Sequence, residues 1–299
     1  MSKELRFKDI VNLAAPHTWT GSVTPAVIGL AIAYHQTGHL DPLMVFCLFV
    51  IVILMQSAVN AFDDYADFVK GTDTLDNSPD AYDAVIVYGM KPKTARNLGF
   101  LFLLLALIPA VYVVYTCGLV PLYIGLIGAV VLFCYAFGRM PISYLPLGEL
   151  LCGFVMGGLI PLAAYYMQVR ELNWFVLVEA LPPMIGMSIN MFSNNGCDIE
   201  RDIPAGRKTL ACIIGRRKTD RLYRILLIIW VLSPVIVLGA QMRWGSVLIY
   251  ALTSLAFLHL INRQYTIQLG AEAREKVMTG ATTLVSLVGL SYALAMVIF

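Results

Sequence analysis

Charge is scarce in this sequence. Only 13% of its 299 residues are Asp, Glu, Lys or Arg, about half the share of an average soluble domain. With 59% apolar residues and a mean hydropathy of +0.76, that deficit excludes an ordinary soluble domain and implies an integral membrane protein. The net charge of +2 is too small to argue for nucleic acid as a partner, and nothing in the sequence signals a protein partner. Histidine is sparse too: His17, His35, His39 and His259 show no metal-ligand spacing. Six cysteines include no C-x-x-C pair and lie mostly in apolar runs, so they read as small buried hydrophobes rather than disulfides or a metal cluster. The charged N-terminal stretch has no small-residue cleavage site and reads as a cytosolic flank. No linker or low-complexity segment interrupts the chain, which predicts a single domain over 1–299.

Apolar runs long enough to cross about 30 Å of hydrocarbon fall at roughly 20–36, 42–62, 98–117, 119–138, 147–167, 174–195, 222–240, 245–262 and 278–298. Spans of this length must satisfy their own backbone, which predicts an all-α, polytopic bundle of about nine transmembrane helices. Pro16 and Pro25 make the first span the weakest, since proline breaks helices. Of the 21 basic residues, 19 fall in the N-terminal flank and the loops after the even-numbered spans; only Arg170 and Arg243 fall on the other side. That asymmetry predicts a cytoplasmic N-terminus, an external C-terminus and placement in the cell membrane. Two long cytoplasmic loops follow spans two and six, which hints at an internal repeat of about four helices.

The scarce charge is concentrated. One cluster reads Asn60-Ala-Phe-Asp63-Asp64-Tyr65-Ala-Asp67-Phe-Val-Lys70-Gly-Thr-Asp73 and ends span two. Another reads Asn194-Asn195-Gly-Cys197-Asp198-Ile-Glu-Arg201-Asp202, then Gly206-Arg207-Lys208-Thr209, and ends span six. Carboxylates at the edge of hydrocarbon are costly, so they imply function. On helices, Asn60, Asp64 and Asp67 share a face, as do Asn194, Asp198 and Asp202. Amides alternating with carboxylates offer oxygen ligands suited to Mg²⁺, which also takes substrate phosphates. Lys70, Asp73, Arg201, Arg207 and Lys208 flank the carboxylates; the cations would hold a diphosphate, which a simple cation site would not need. The chemistry implied is ionisation of an allylic diphosphate followed by attack of an electron-rich aromatic carbon, shielded from water by the bundle. A carrier whose acidic sites hold ions is the rival, although transporter sites lie near the midplane rather than at helix ends. Trp19, Tyr65, Tyr144 and Glu149 are weaker candidates for the acceptor, the first two as aromatic faces for a carbocation.

These motifs resemble the UbiA superfamily of intramembrane prenyltransferases, and most closely its branch that prenylates 1,4-dihydroxy-2-naphthoate on the way to menaquinone. Asp64-Tyr-Ala-Asp67…Lys70-Gly71-Thr-Asp73 is similar to the first motif of that branch, and Asn194-Asn195…Asp198…Asp202…Gly206-Arg207-Lys208-Thr209-Leu210 to the second. Tyr144-Leu-Pro-Leu-Gly148-Glu149, Gly158-Leu-Ile-Pro161 and Pro16-His-Thr18-Trp19 extend the likeness over nearly the whole chain. The resemblance implies a nine-helix horseshoe open to lipid, Asp64, Asp67, Asp198 and Asp202 as catalytic Mg²⁺-binding carboxylates, and Asn60, Asp63 and Asn194 as supporting ligands. The reaction it implies joins a polyprenyl diphosphate to dihydroxynaphthoate, giving demethylmenaquinone, CO₂ and diphosphate. The chain departs from the pattern where Asp63 replaces an asparagine and where Ala15, Cys197 and 81–88 lack arginines. Those losses point either to other cations taking over the anion contact or to another aromatic or lipid acceptor, one without a carboxylate.

Overall fold

The structure, a computed structural model, describes residues 6–70, 84–136 and 141–299, with only the backbone at Lys70, Leu132 and Ala136. Every regular element among the described residues is helical, as chains that must bond their own backbone in lipid require. A short helix α1 (Phe7–Ala14) lies before α2 (Thr20–Thr37) and α3 (Pro42–Lys70). Next come α4 (Pro92–Cys117), α5 (Val120–Ala136), α6 (Gly148–Val169) and α7 (Leu181–Cys197). Then α8 (Arg216–Ala240), the bent pair α9 (Trp244–Leu255) and α10 (Leu258–Thr266), and α11 (Arg274–Ile298) complete the bundle.

Where the expected apolar runs are described they fall largely on helix, but among the described residues five helices are long and apolar enough to cross a membrane, or six with the α9–α10 pair, which bends by 67°. The expected nine is not reached on that measure. The reason lies in the helices that fall short. α7 carries Asn190, Asn194 and Asn195, and α2 carries Thr20, Thr24, His35 and Gln36, polar side chains that lower the apolar signal; the described part of α5 is 17 residues long. Nor does Pro25 break the first span: α2 runs through it, while Pro16 opens a separate 3₁₀ turn, Pro16–Thr18.

Packing sets the two halves around a hollow. α3 lies along α4, and α2 is held between α6 and α11. α7 packs on α6 where α6 widens into a π-helical stretch, Gly153–Leu159. Contact is backbone to backbone there: a Cβ on Gly157 would lie 2.4 Å from Met184 Cα. Small residues at such crossings let membrane helices approach within dispersion range, where apolar burial alone gives no drive. One end of the bundle gathers α1, the C-terminal end of α3, the polar loop 198–215 and the start of α11. The opposite end carries Arg170, bonded to Thr116, and Arg243, bonded to Met296 O at 2.8 Å.

Candidate active site

The first acidic motif rides on the last three turns of α3, which continues unbroken to Lys70. Asn60 Nδ2 donates to Ala14 O and to Thr18 Oγ1, both at 2.9 Å, which fixes its carbonyl oxygen on the side of Gln56. Asp63, one turn on, lines the central cavity with Asn60. Asp67, a further turn along, reaches the second motif. Asp64 takes a different direction and accepts from Ala84 N–H at 2.9 Å. The inward stripe is therefore Asn60–Asp63–Asp67, with Asp64 beside the returning chain instead of at its centre.

The second motif sits where α7 ends. Asp198 has φ −102° and ψ 9°, a break after which one further turn, Ile199–Asp202, resumes. Asp202 N still bonds Asp198 O at 2.8 Å, so the two carboxylates keep their i, i+4 relation. The chain then reverses. Gly206 adopts φ +78°, a left-handed value that a side chain would strain, and Arg207 N–H returns to Asp202 O at 3.0 Å. That reversal lays the Arg207 guanidinium between the motifs: Nη1 stands 3.4 Å from Asp202 Oδ1 and Nη2 3.5 Å from Asp67 Oδ1. The two acidic motifs, 135 positions apart at these residues, meet at one arginine. Tyr144 supports it, with its ring centroid 5.1 Å from the guanidinium and its carbonyl accepting from Lys208 N at 2.8 Å. The Lys208 side chain itself is exposed.

Asp198 is almost buried, and two guanidiniums reach it: Arg201 Nη2 at 3.1 Å and Arg274 Nε, from the start of α11, at 3.2 Å. Arg274 Nη2 also donates to Asn194 Oδ1 at 2.8 Å. Sequence reasoning did not single out Arg274; its only signal was membership of a short basic loop. Cys197, where the family pattern has an arginine, is fully buried, and the guanidiniums at Asp198 come from Arg201 and from Arg274 on α11 instead. Asp202 is wholly buried, and its Oδ2 has no hydrogen-bond partner among the described residues. Burial chiefly, offset by Arg207 and reinforced by Asp198, pushes its carboxyl up to about 6. Burial works against the Arg207 charge as well, but Asp202 and Asp67 more than offset it.

Other expected site residues divide. Glu149, 4% exposed, accepts from Asn195 Nδ2 at 2.9 Å and leaves Oε2 without a partner among the described residues. Trp19 is spent on structure, donating from Nε1 to Ala14 O and Ser57 Oγ at 3.0 and 3.1 Å. Tyr65 lies under Arg96, 5.8 Å from its guanidinium. Neither lines the cavity. Tyr135 does, and donates to Met191 Sδ at 3.2 Å; nothing in the apolar run around it marked it beforehand. Asp73 and the Lys70 side chain lie outside the described residues.

Beneath the motifs opens a cavity of about 1460 Å³, larger than the roughly 300–1,000 Å³ of small-molecule pockets. Its polar end holds Asn60, Asp63, Asn190, Asn194 and Arg274; the remainder is mostly aliphatic, from α3, α4, α5 and α6. Among the described residues no three His, Cys, Asp or Glu side chains close up as a metal cage. The donors nonetheless suit magnesium, which takes few protein ligands: all are oxygens, and the orphaned Asp202 Oδ2 is a buried acceptor of the kind a cation takes.

A helical membrane bundle with paired acidic motifs over a long apolar cavity is the plan of an intramembrane prenyltransferase. The chain belongs to the UbiA prenyltransferase family, whose family model matches residues 22–296. It is 32% identical over 245 residues to the 1,4-dihydroxy-2-naphthoate octaprenyltransferase of Bacillus subtilis, covering 81% of this chain and 78% of that one. It is 29% identical to the 2-carboxy-1,4-naphthoquinone phytyltransferase of Synechocystis, covering 79% and 76%. Human UbiA prenyltransferase domain-containing protein 1 is 31% identical over 71% of this chain, which spans 62% of that longer protein. The fold matches a UbiA homolog from Archaeoglobus fulgidus solved with DMAPP and Mg²⁺, at TM-score 0.68 and 15% identity over 97% of this chain and 99% of that one.

Proposed function

We propose that the protein transfers a polyprenyl group from its diphosphate to 1,4-dihydroxy-2-naphthoate, in the cell membrane, with the site facing the cytoplasm. The observation that carries this reading is the meeting of Asp67 and Asp202 at Arg207 above an aliphatic cavity. A charged group is anchored at the top while a long apolar tail lies below. The naphthoate relatives, at about 30% identity over most of their length, favour that acceptor. The basic residues gathered at the site's end of the bundle favour the cytoplasmic side.

Asp63, Asp67, Asp198 and Asp202, with the carbonyl oxygens of Asn60 and Asn194, would hold Mg²⁺, and Asp64 would support the first motif from its contact with Ala84. Bound there, magnesium would supply positive charge to the diphosphate oxygens. Arg207 and Arg201, with Lys70, Lys208 and Asp73 at the motif edges, would orient the diphosphate and its metal. The allylic C–O bond breaks with its electron pair on the diphosphate. The acceptor carbon bearing the carboxylate then forms the new C–C bond, and loss of CO₂ returns an electron pair to the ring. The product is the quinol whose oxidised form is demethylmenaquinone. Tyr135, on the cavity wall, takes the aromatic-face role first expected of Trp19 and Tyr65. Glu149 and Tyr144 would orient an acceptor hydroxyl.

The test is purified protein with magnesium, a long prenyl diphosphate and a panel of acceptors, read by diphosphate release and by mass of the lipid product. Turnover of dihydroxynaphthoate, abolished in Asp67→Ala and Asp198→Ala, is the expected result. Release of diphosphate only with acceptors that lack a carboxylate would replace the acceptor. No magnesium-dependent release with any acceptor would overturn the enzyme reading.

A further inference from the structure

We infer that Arg274 is the residue that takes hold of the donor diphosphate from the second half of the bundle, exchanging Asp198 and Asn194 for it. This deepens the proposed function and rests on it. Arg274 opens α11, far in sequence from both acidic motifs, yet its guanidinium lies 3.2 and 3.3 Å from the two oxygens of Asp198 and 2.8 Å from Asn194 Oδ1. It also lines the cavity beside Asn60, Asp63 and Asn194. Among the described lining residues it carries the only guanidinium; Arg201 and Arg207 reach the carboxylates without lining the cavity.

The same atoms of Asp198 and Asn194 that would coordinate a cation are thus engaged by Arg274. Magnesium arriving with a diphosphate competes with it for them. A guanidinium released from Asp198 in that exchange stays tethered at the cavity's polar end, and its planar fork matches two phosphate oxygens. Before substrate arrives, the same fork shares with Arg201 the neutralisation of Asp198, 6% exposed. Arg274 therefore has two alternating partners, and the arrival of the metal–diphosphate pair decides between them.

Two roles give opposite signs in binding experiments on the full-length protein in nanodiscs. The probes are Mn²⁺ alone, followed by its spin resonance, and magnesium pyrophosphate, followed calorimetrically. Arg274→Gln removes a competitor of the metal, so Mn²⁺ alone binds as tightly as before or tighter. Magnesium pyrophosphate binds roughly 10–100-fold more weakly, the loss expected of a charge-assisted pair of hydrogen bonds. Arg274→Lys, which keeps the charge and loses the fork, falls between and serves as the reading should the Gln variant not fold. Both probes weakened in parallel means a purely structural arginine and overturns the inference. So does pyrophosphate binding within twofold of wild type, including the case where only 1,4-dihydroxy-2-naphthoate binding is lost. If wild-type protein itself fails to bind magnesium pyrophosphate, the proposed function fails, a result separate from the other outcomes.

Discussion

Arg207 Nη2 stands 3.5 Å from Asp67 Oδ1, and this contact ties the loop after α7 to the end of α3. The other edge of the same guanidinium faces Asp202 at 3.4 Å, and the two halves of that bridge are unequal. Asp67 remains partly exposed and solvent screens its pairing, so that half contributes little to stability. Asp202 is fully buried, and removing the partner of a buried charge costs about 3–5 kcal/mol. Arg207→Gln should therefore lower thermal stability and cut turnover by roughly 10²–10³-fold. Adding Asp202→Asn should restore most of the stability and none of the activity. Melting curves and kcat for the single and double variants check this; recovery of activity in the double variant would mean that Arg207 acts only as a strut.

The raised pKa of Asp202 carries a pH signature. Its folded value of about 6 lies above the ordinary 3.8, so the folded state holds the proton more tightly than the unfolded state. Stability from this group is then fullest below about pH 4, declines as pH rises to about 6, and stays flat above. At pH 7.5 without metal, Asp202→Asn should melt higher than wild type, by on the order of 1–3 kcal/mol. That advantage should shrink steadily below pH 6. Magnesium pyrophosphate should stabilise wild type and leave the variant nearly unmoved. A variant less stable than wild type at pH 7.5 in metal-free buffer would contradict the argument.

Much of this site was legible in the sequence because its chemistry is costly there. Asp198 and Asp202 declare themselves against hydrocarbon, and helical periodicity alone places Asn60 and Asp67 on one face. The sense of rotation within that face was not legible. Asp63 rather than Asp64 turns inward because Asp64 is claimed by Ala84, 20 residues on, a contact that no periodicity encodes. Arg274 was hidden for a similar reason: its partners lie 76 and 80 positions away, and only the packing of α11 against α7 brings them together. α2 and α7 were the hardest to count as spans, since their polar side chains, asparagines and threonines among them, dilute the apolar signal that marks a crossing.

Glu149 and Asn195 form a buried pair in which the amide donates to the carboxylate at 2.9 Å. Asn195→Ala removes the donor and leaves a carboxylate 4% exposed without it, a loss of about 1–3 kcal/mol. Glu149→Gln keeps a carbonyl acceptor for Asn195 and should melt close to wild type. If Glu149 orients the acceptor as proposed, that same Gln variant should raise KM for the aromatic substrate while KM for the prenyl diphosphate is unchanged. Equal shifts in both constants would return Glu149 to a purely structural role.

Adjacent glycines on α6 provide a sharper test of how α6 and α7 are held. A Cβ on Gly157 would meet Met184 Cα at 2.4 Å and Met184 N at 2.5 Å, both backbone atoms of α7 that cannot step aside. One on Gly158 would meet the Met184 side chain first, its Sδ at 3.3 Å, which can rotate away. Gly157→Ala must therefore push α7 from α6, at a cost of about 1–3 kcal/mol or more, whereas Gly158→Ala should cost less than about 1 kcal/mol. The displacement should also reach the chemistry, because α6 carries Glu149 and α7 carries Asn194, Asn195 and the chain leading into Asp198. Gly157→Ala should lose magnesium pyrophosphate affinity along with stability, and Gly158→Ala should keep both. Comparable melting temperatures for the two alanine variants would show that the close α6–α7 crossing is not what holds the second acidic motif in place.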